Sequence, residues 1–277
     1  MVDLALDPTR YPPELERRRR PRGPRSLSII HSNDAPRVSI VIAALNEEES
    51  VGHVLRRLPG GLHEVILVDG NSIDRTVEIA QSLRPDIRVV YQPGRGKGDA
   101  LRAGFEATSG DIVIAIDADG STDPREIPAF VGALLSGADY CKGSRFIPGG
   151  GTDDMTFTRR MGNLGLMLLA RALFGTKYTD LCYGFTGFWR RELKTLDLRS
   201  TGFEIETEMN LRAAITNLRV VEVASFEQPR VGGVAHLVPL TDGWRVLMEI
   251  FRQRQRRYVP PVAQIAGIRA PEAEPPC

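Results

Sequence analysis

Several things are scarce in the 277-residue sequence, and each scarcity removes a class of protein. Three cysteines, Cys141, Cys182 and Cys277, are too few, too scattered and odd in number for a disulfide framework, which fits a reducing cytoplasm. No apolar signal core stands at the N-terminus. The most apolar long stretch, residues 161–175, is too short for a membrane span and carries Arg171, so the sequence predicts a chain that does not cross a bilayer. Neither sign of charge is in excess: 36 basic and 35 acidic residues leave a net +1, and no global field argues for nucleic acid. There is no internal repeat. What remains, with 42% hydrophobic residues, is a globular chain long enough for one large domain or two small ones.

The basic residues that balance the acids are unevenly placed. Residues 1–35 combine Pro8, Pro12, Pro13, Pro21 and Pro24 with Arg17-Arg18-Arg19-Arg20 and have no sustained period. They read as a poorly ordered arm, either a solvated tail or an electrostatic tether to anionic lipid. The Pro-rich stretch 258–277 reads as a disordered tail. Between them, order begins near residue 37. Short apolar runs at 38–44, 64–69, 88–91 and 112–116 read as strands, and helical patterns at 51–58, 77–83 and 100–105 alternate with them. Ser72 or Asp74 can cap the second helix, and Glu47, Glu48 and Glu49 suit the first turn of the first. Such alternation with short connections predicts an α/β fold, a mostly parallel sheet with helices on both faces.

Three of these strands end in an acid or an acid-rich loop, so their ends meet on one rim, where open α/β sheets bind ligands. The richest is Asp117-Ala118-Asp119-Gly120-Ser121-Thr122-Asp123-Pro124. Asp117 and Asp119 point the same way on an extended chain and suit a hard divalent cation, whereas 119–124 can equally be a turn and helix N-cap. Gly94-Arg95-Gly96-Lys97-Gly98 is either a phosphate-cradling loop or a plain glycine-rich turn; it fits neither the Walker nor the dinucleotide pattern.

The second half opens with a helix at 128–135 and a strand at 140–146 that delivers Arg145 to the rim. After a glycine-rich loop, 147–157, the segment 159–174 is a helix with an apolar body behind Arg159 and Arg160, suited either to the core or to lipid docking. An aromatic, glycine-hinged stretch follows at 177–191. A helix at 209–214, a strand at 219–225, a loop at 230–236 and an arginine-ended helix at 242–256 complete the chain.

Taken in order, 38–49, Asp69-Gly70-Asn71-Ser72, Gly96-Lys97-Gly98, Asp117-Ala118-Asp119, Gly143-Ser144-Arg145-Phe146 and Arg230 followed by Gly233 resemble the motif series of family 2 glycosyltransferases. The resemblance covers about 37–255 and lies nearest the catalytic domain of the polyprenyl- and dolichyl-phosphate sugar synthases. It implies one GT-A domain at 36–257, with a nucleotide-binding half at 36–125 and an acceptor half at 126–257. It also implies a nucleotide-diphosphate-sugar donor, Mg²⁺ or Mn²⁺, and inversion at the anomeric carbon. By position, Ala43, Leu45, Glu47 and Asp69 match the base and ribose cradle, joined by Gly96 and Lys97. Asp117 matches the acid facing the nucleotide, and Asp119 the metal-holding one, with His236 a third ligand or a loop residue. Arg145 and Arg230 match phosphate-gripping positions, with Arg159 or Arg160 a further pair of candidates.

The departures are Ala43 for the usual Pro, Asp69-Gly70-Asn71-Ser72 for Asp-Asp-Gly-Ser, Ala235-His236 for Ser-Lys, and Asp180-Leu181-Cys182-Tyr183-Gly184 for Asp-x-x-Ser-Gly. UDP and GDP therefore both stay open. An anionic lipid phosphate would need no general base; the matched arginines, the apolar helix after Arg160 and the basic segments at both chain ends favour a polyprenyl-phosphate acceptor at the cytoplasmic membrane face. An alcohol acceptor would need a carboxylate, for which Glu206, Glu204 and Asp180 are the candidates. A soluble enzyme acting on an alcohol or a small phosphorylated acceptor, and a nucleotide-binding protein without turnover, are the alternatives.

Overall fold

A computed structural model describes residues 35–232 and 239–256. The expected arm and tail, and His236 with its neighbours in 233–238, lie outside the described residues.

The described residues form a seven-stranded sheet in the order β3-β2-β1-β4-β7-β5-β8. Its centre is β1 (Val38–Ala44), β2 (Glu64–Asp69) and β4 (Ile112–Asp117), all parallel, with β3 (Arg88–Tyr91) at the edge. These runs are rich in β-branched residues and buried on both faces, as a covered parallel sheet requires. Alternation along each strand divides the core in two. Ile40, Ile42, Ile112, Ile114 and Ile116 face α1 (Val51–Arg56) and α4 (Ile127–Leu135), together with Ala80 of α2 (Thr76–Leu83). Val41, Val113 and Ala115 face α3 (Lys97–Ala107) on the opposite side. This is the α/β architecture that the sequence predicts, a mostly parallel sheet with helices on both faces.

The second half departs from the expectation in three short strands, one of them in the main sheet. β5 (Tyr140–Ser144) does not pair with β4; the antiparallel β7 (Thr186–Trp189) lies between them, and β8 (Val220–Ala224) pairs parallel to β5. Four residues around a glycine give little strand signal. Gly187 is nevertheless needed there, because a Cβ would lie 2.5 Å from Ile114 Cδ1 and 2.9 Å from Cys141 Sγ. Two more short strands, β6 (Gly151–Thr152) and β9 (Phe226–Glu227), pair with each other beside the sheet.

Helix α5 (Phe157–Phe174) opens where Thr156 accepts the Arg159 N–H, and it closes at Gly175 in the left-handed conformation. Only one face of it joins the core: Asn163, Met167 and Ala170 are buried, while Phe157, Met161, Leu164 and Leu168 are exposed. Its buried face packs with α7 (Ile205–Ile215) and α8 (Pro239–Gln255) in a third core cluster, and α6 (Leu193–Leu196) seats Leu196 in the second. One local expectation also shifts. Glu47, Glu48 and Glu49 precede α1 instead of occupying its first turn, which leaves Glu47 available to the rim.

Candidate functional site

Strand register builds the site. Ala43 lies opposite Asp117 and Ala44 opposite Asp69, so three adjacent parallel strands end together. At these ends opens a cavity of about 840 Å³, to which the first half of the chain contributes Ala43, Leu45, Glu47, Asp117 and Asp119, and the second half Glu206 and Arg230 among others.

Two ion-pair clusters cross it. Lys97, the first residue of α3, sits 2.7 Å from Asp117 Oδ1 and 2.6 Å from Glu206 Oε1, with its ammonium 5.8 Å from the Phe203 ring centre. Burial alone would lower the Lys97 pKa, but the two carboxylates outweigh it and hold the ammonium charged well above its ordinary range. Asp117 is pushed up to about 6, by burial first and then, against the pull of Lys97, by the neighbouring Asp119 and Glu206 carboxylates. The second cluster joins Arg230 to Glu47 and, at 3.3 Å, to Asp119 Oδ2. Glu47 also accepts from Ser50 Oγ at 2.5 Å; burial raises its pKa against the opposing pull of Ser50 and Arg230. Asp119 Oδ1 accepts the Ser121 N–H at 2.9 Å.

The turn-and-cap reading of 119–124 holds at Asp123, and the two acids read as cation ligands lie elsewhere, on the cavity wall. Asp123 accepts the Arg125 N–H and caps the short turn at 124–126, while Asp117 and Asp119 face the cavity. In these two clusters four carboxylates, Glu47, Asp117, Asp119 and Glu206, meet two cations, Lys97 and Arg230, and the raised Asp117 reflects its burial first and its neighbouring carboxylates second. Such an under-neutralised oxygen set fits a hard divalent cation. Among the described residues no three His, Cys, Asp or Glu side chains converge as a ready-made cage. A cation would thus take Asp117 and Asp119, with ligand or water oxygens for the rest.

Asp69 is 1% exposed; its Oδ2 accepts the Ser72 N–H at 3.1 Å and its Oδ1 has no hydrogen-bond partner, a buried acceptor awaiting a donor. It lies directly before Gly70 and Asn71, which line the cavity. Gly96 and Lys97 line it too, but the glycines have a packing reason. A Cβ on Gly96 would come 2.4 Å from the Thr201 carbonyl, and one on Gly98 2.4 Å from that of Ser200.

Other expected site residues are placed differently. Arg145 borders the cavity but is 4% exposed, and its fork is engaged: Nε and Nη2 on Asp180 at 2.7 and 2.9 Å, Nη1 on both Glu227 oxygens at 3.0 Å, and Nη2 also on the Cys182 carbonyl. That guanidinium holds a wall together and has no edge left for a phosphate. Asp180, a candidate base, is fully buried, lies away from the cavity lining and serves this pair; burial would raise its pKa, but Arg145 overrides it and holds the carboxyl below its ordinary value. Glu204 sits at the N-cap of α7, 7% exposed, accepting the Gly202 N–H outside the cavity lining. Arg159 lines the cavity paired with Asp154, whereas Arg160 is exposed near the Phe146 ring and does not line it. Of the three candidate bases only Glu206 reaches the cavity, already paired to Lys97.

Gly184, the glycine that closes the 180–184 segment, lines the cavity, a position for which the sequence assigns it no role. A Cβ there would lie 2.7 Å from Asp117 Oδ2, 2.8 Å from Glu206 Oε1 and 2.8 Å from Lys97 Nζ. Its sequence signal is the final glycine of that segment, directly after an aromatic residue in a hinged stretch. No helix among the described residues is long and apolar enough to cross a membrane.

Residues 39–196 match the family model "Glycosyl transferase family 2". Among known proteins, the chain is 30% identical to a dolichol-phosphate mannosyltransferase of Pyrococcus furiosus, over 68% of this chain and 55% of that one. It is 32% identical to an undecaprenyl-phosphate mannosyltransferase of Micrococcus luteus, over 68% of this chain and 82% of the other. The chain thus spans about half the length of the first relative and most of the second. Among solved structures it resembles glucosyl-3-phosphoglycerate synthase of Mycobacterium tuberculosis, crystallised with Mn²⁺ and UDP, with 24% identity, a TM-score of 0.63, and coverage of 80% of this chain and 81% of that one.

Proposed function

Because the chain belongs to glycosyltransferase family 2 and is a glycosyltransferase, we propose that it moves a sugar from a nucleotide diphosphate onto a polyprenyl phosphate, with inversion and with Mg²⁺ or Mn²⁺ at the rim. The observation that carries this reading is the rim itself, where Asp117 and Asp119 stand side by side, short of positive charge, between Lys97 and Arg230. A bound dication would stabilise the negative charge that develops on the departing diphosphate. The chain's own groups do the rest. Asp69, buried directly behind the cavity-lining Gly70 and Asn71, would have to be reached by a base or ribose donor at its unpartnered Oδ1, and Lys97 and Arg230 bring positive charge to the phosphates.

A lipid phosphate arrives already ionised, which suits a site where Glu206, the one candidate base that lines the cavity, is held by Lys97 instead of standing free. Residues 36–257 act in this reading as one catalytic domain, with 36–125 on the donor side and 126–257 on the acceptor side, in the cytoplasm at the inner membrane face. Asp119 and the two relatives named for polyprenyl acceptors support it.

The test is incubation with radiolabelled UDP- and GDP-sugars, Mn²⁺ and polyprenyl phosphate, followed by organic extraction. Label is expected in the organic phase, sensitive to mild acid as a glycosyl phosphate is. Label appearing only on a water-soluble alcohol or phosphorylated acceptor, or no labelled lipid with any donor, would overturn it.

A further inference from the structure

We propose that α5 and α8 form a face that docks on an anionic lipid bilayer. On α5, Phe157 (76% exposed), Met161 (49%), Leu164 (41%) and Leu168 (49%) recur at helical spacing and make one apolar stripe. On α8, Trp244 (62%) and Phe251 (44%) stand seven residues apart on one side. The two helices already pack together through Met167, Ala170, Val246 and Ile250, so these stripes are what that packing leaves outside.

Charge names the occupant. No acid occurs along α5, and the two acids of α8, Asp242 and Glu249, are buried at 6% and 3% exposure. Every exposed charged residue described on the two helices is an arginine: Arg160, Arg171, Arg245, Arg252 and Arg254. A second copy joined by a two-fold axis would set this face against itself and oppose arginine with arginine. An anionic bilayer supplies both an apolar layer for the stripe and negative headgroups for its flanks, with Trp244 suited to the boundary.

The place of the face also fits the site. Arg159, in the first turn of α5, lines the cavity, so the stripe starts at the cavity wall. A lipid-borne acceptor could then reach the rim with its tail still in the membrane; this clause alone rests on the proposed function.

The test is co-sedimentation of the full chain with phosphatidylcholine vesicles, with and without phosphatidylglycerol, in the absence of donor and acceptor. The parent should sediment with the anionic vesicles, less so as salt rises, and brominated lipid should quench Trp244. Met161→Ser/Leu164→Ser/Leu168→Ser should weaken partitioning about tenfold or more, since three partly exposed apolar side chains lose their lipid contact. Arg160→Glu/Arg254→Glu, remote from the core, should erase the preference for anionic vesicles. The proposal fails if the parent does not sediment or if the serine variant, folded by circular dichroism, sediments as well as the parent. It also fails if the serine changes abolish self-association and leave vesicle binding untouched. Because no sugar transfer is measured, failure of the acceptor reading leaves this outcome distinct.

Discussion

Gly184 carries no functional group, yet three charged side chains converge where its Cβ would stand. The atoms in the way are the far ends of Lys97, Asp117 and Glu206, which can swing aside at little cost to packing. Gly184→Ala should therefore leave the melting temperature nearly unchanged while lowering kcat about 100-fold, the order of loss that follows a misplacement of about an ångström. Steady-state kinetics beside a thermal melt check this. Arg145 should behave in the opposite way. Arg145→Met strands Asp180 and Glu227 in a buried wall and should cost about 3–5 kcal/mol in denaturant unfolding at neutral pH. Arg145 holds Asp180 below the ordinary 3.8, so the pair's contribution is present above that pH and lost as pH falls through the folded value. The gap between parent and variant should narrow on acidification. Asp117 and Asp119 were legible because they stand two apart at the end of an apolar run. The partner of Arg145 lies 35 positions away in Asp180, and no local pattern reveals such a pairing.

Among the elements, the entry to α3 shows how a motif can be right in place and different in cause. Gly98 is glycine because the backbone of residues 200–201 presses against it. Gly98→Ala should destabilise the ligand-free protein by about 1–3 kcal/mol, as overpacking does, visible in urea unfolding with no nucleotide present. A glycine needed only for phosphate would show no such ligand-free cost. The same contrast explains which elements were readable. β1, β2 and β4 are continuous β-branched runs whose burial on both faces writes itself into composition. β7 has four residues, one of them a glycine, and owes its existence to the gap between β4 and β5. For α5 the sequence leaves core and lipid docking open, and packing against α7 and α8 decides which face belongs to the core.

At the scale of the molecule, the site ties the first half of the chain to the second. Arg230 reaches back to Glu47 and Asp119, and Glu206 to Lys97, across sequence distances that motif order implies but does not measure. Ligands bridging these groups should stabilise the fold globally, by about 2.7 kcal/mol at a hundredfold excess over Kd. A thermal-shift series with Mn²⁺ and UDP or GDP reads this, and Asp119→Asn should remove the part contributed by Mn²⁺. The pH dependence has a definite sign. In the folded, ligand-free protein Asp117 keeps its proton up to about 6, while the unfolded chain releases it near 3.8. Between those values the folded state binds more protons, so intrinsic stability falls as pH rises through the window. A cation competes for the same carboxylate. The Mn²⁺-dependent shift should accordingly be full above about 6 and shrink below it. A shift that survives Asp119→Asn, or that grows on acidification, would mean that the cation binds elsewhere than at this pair of acids.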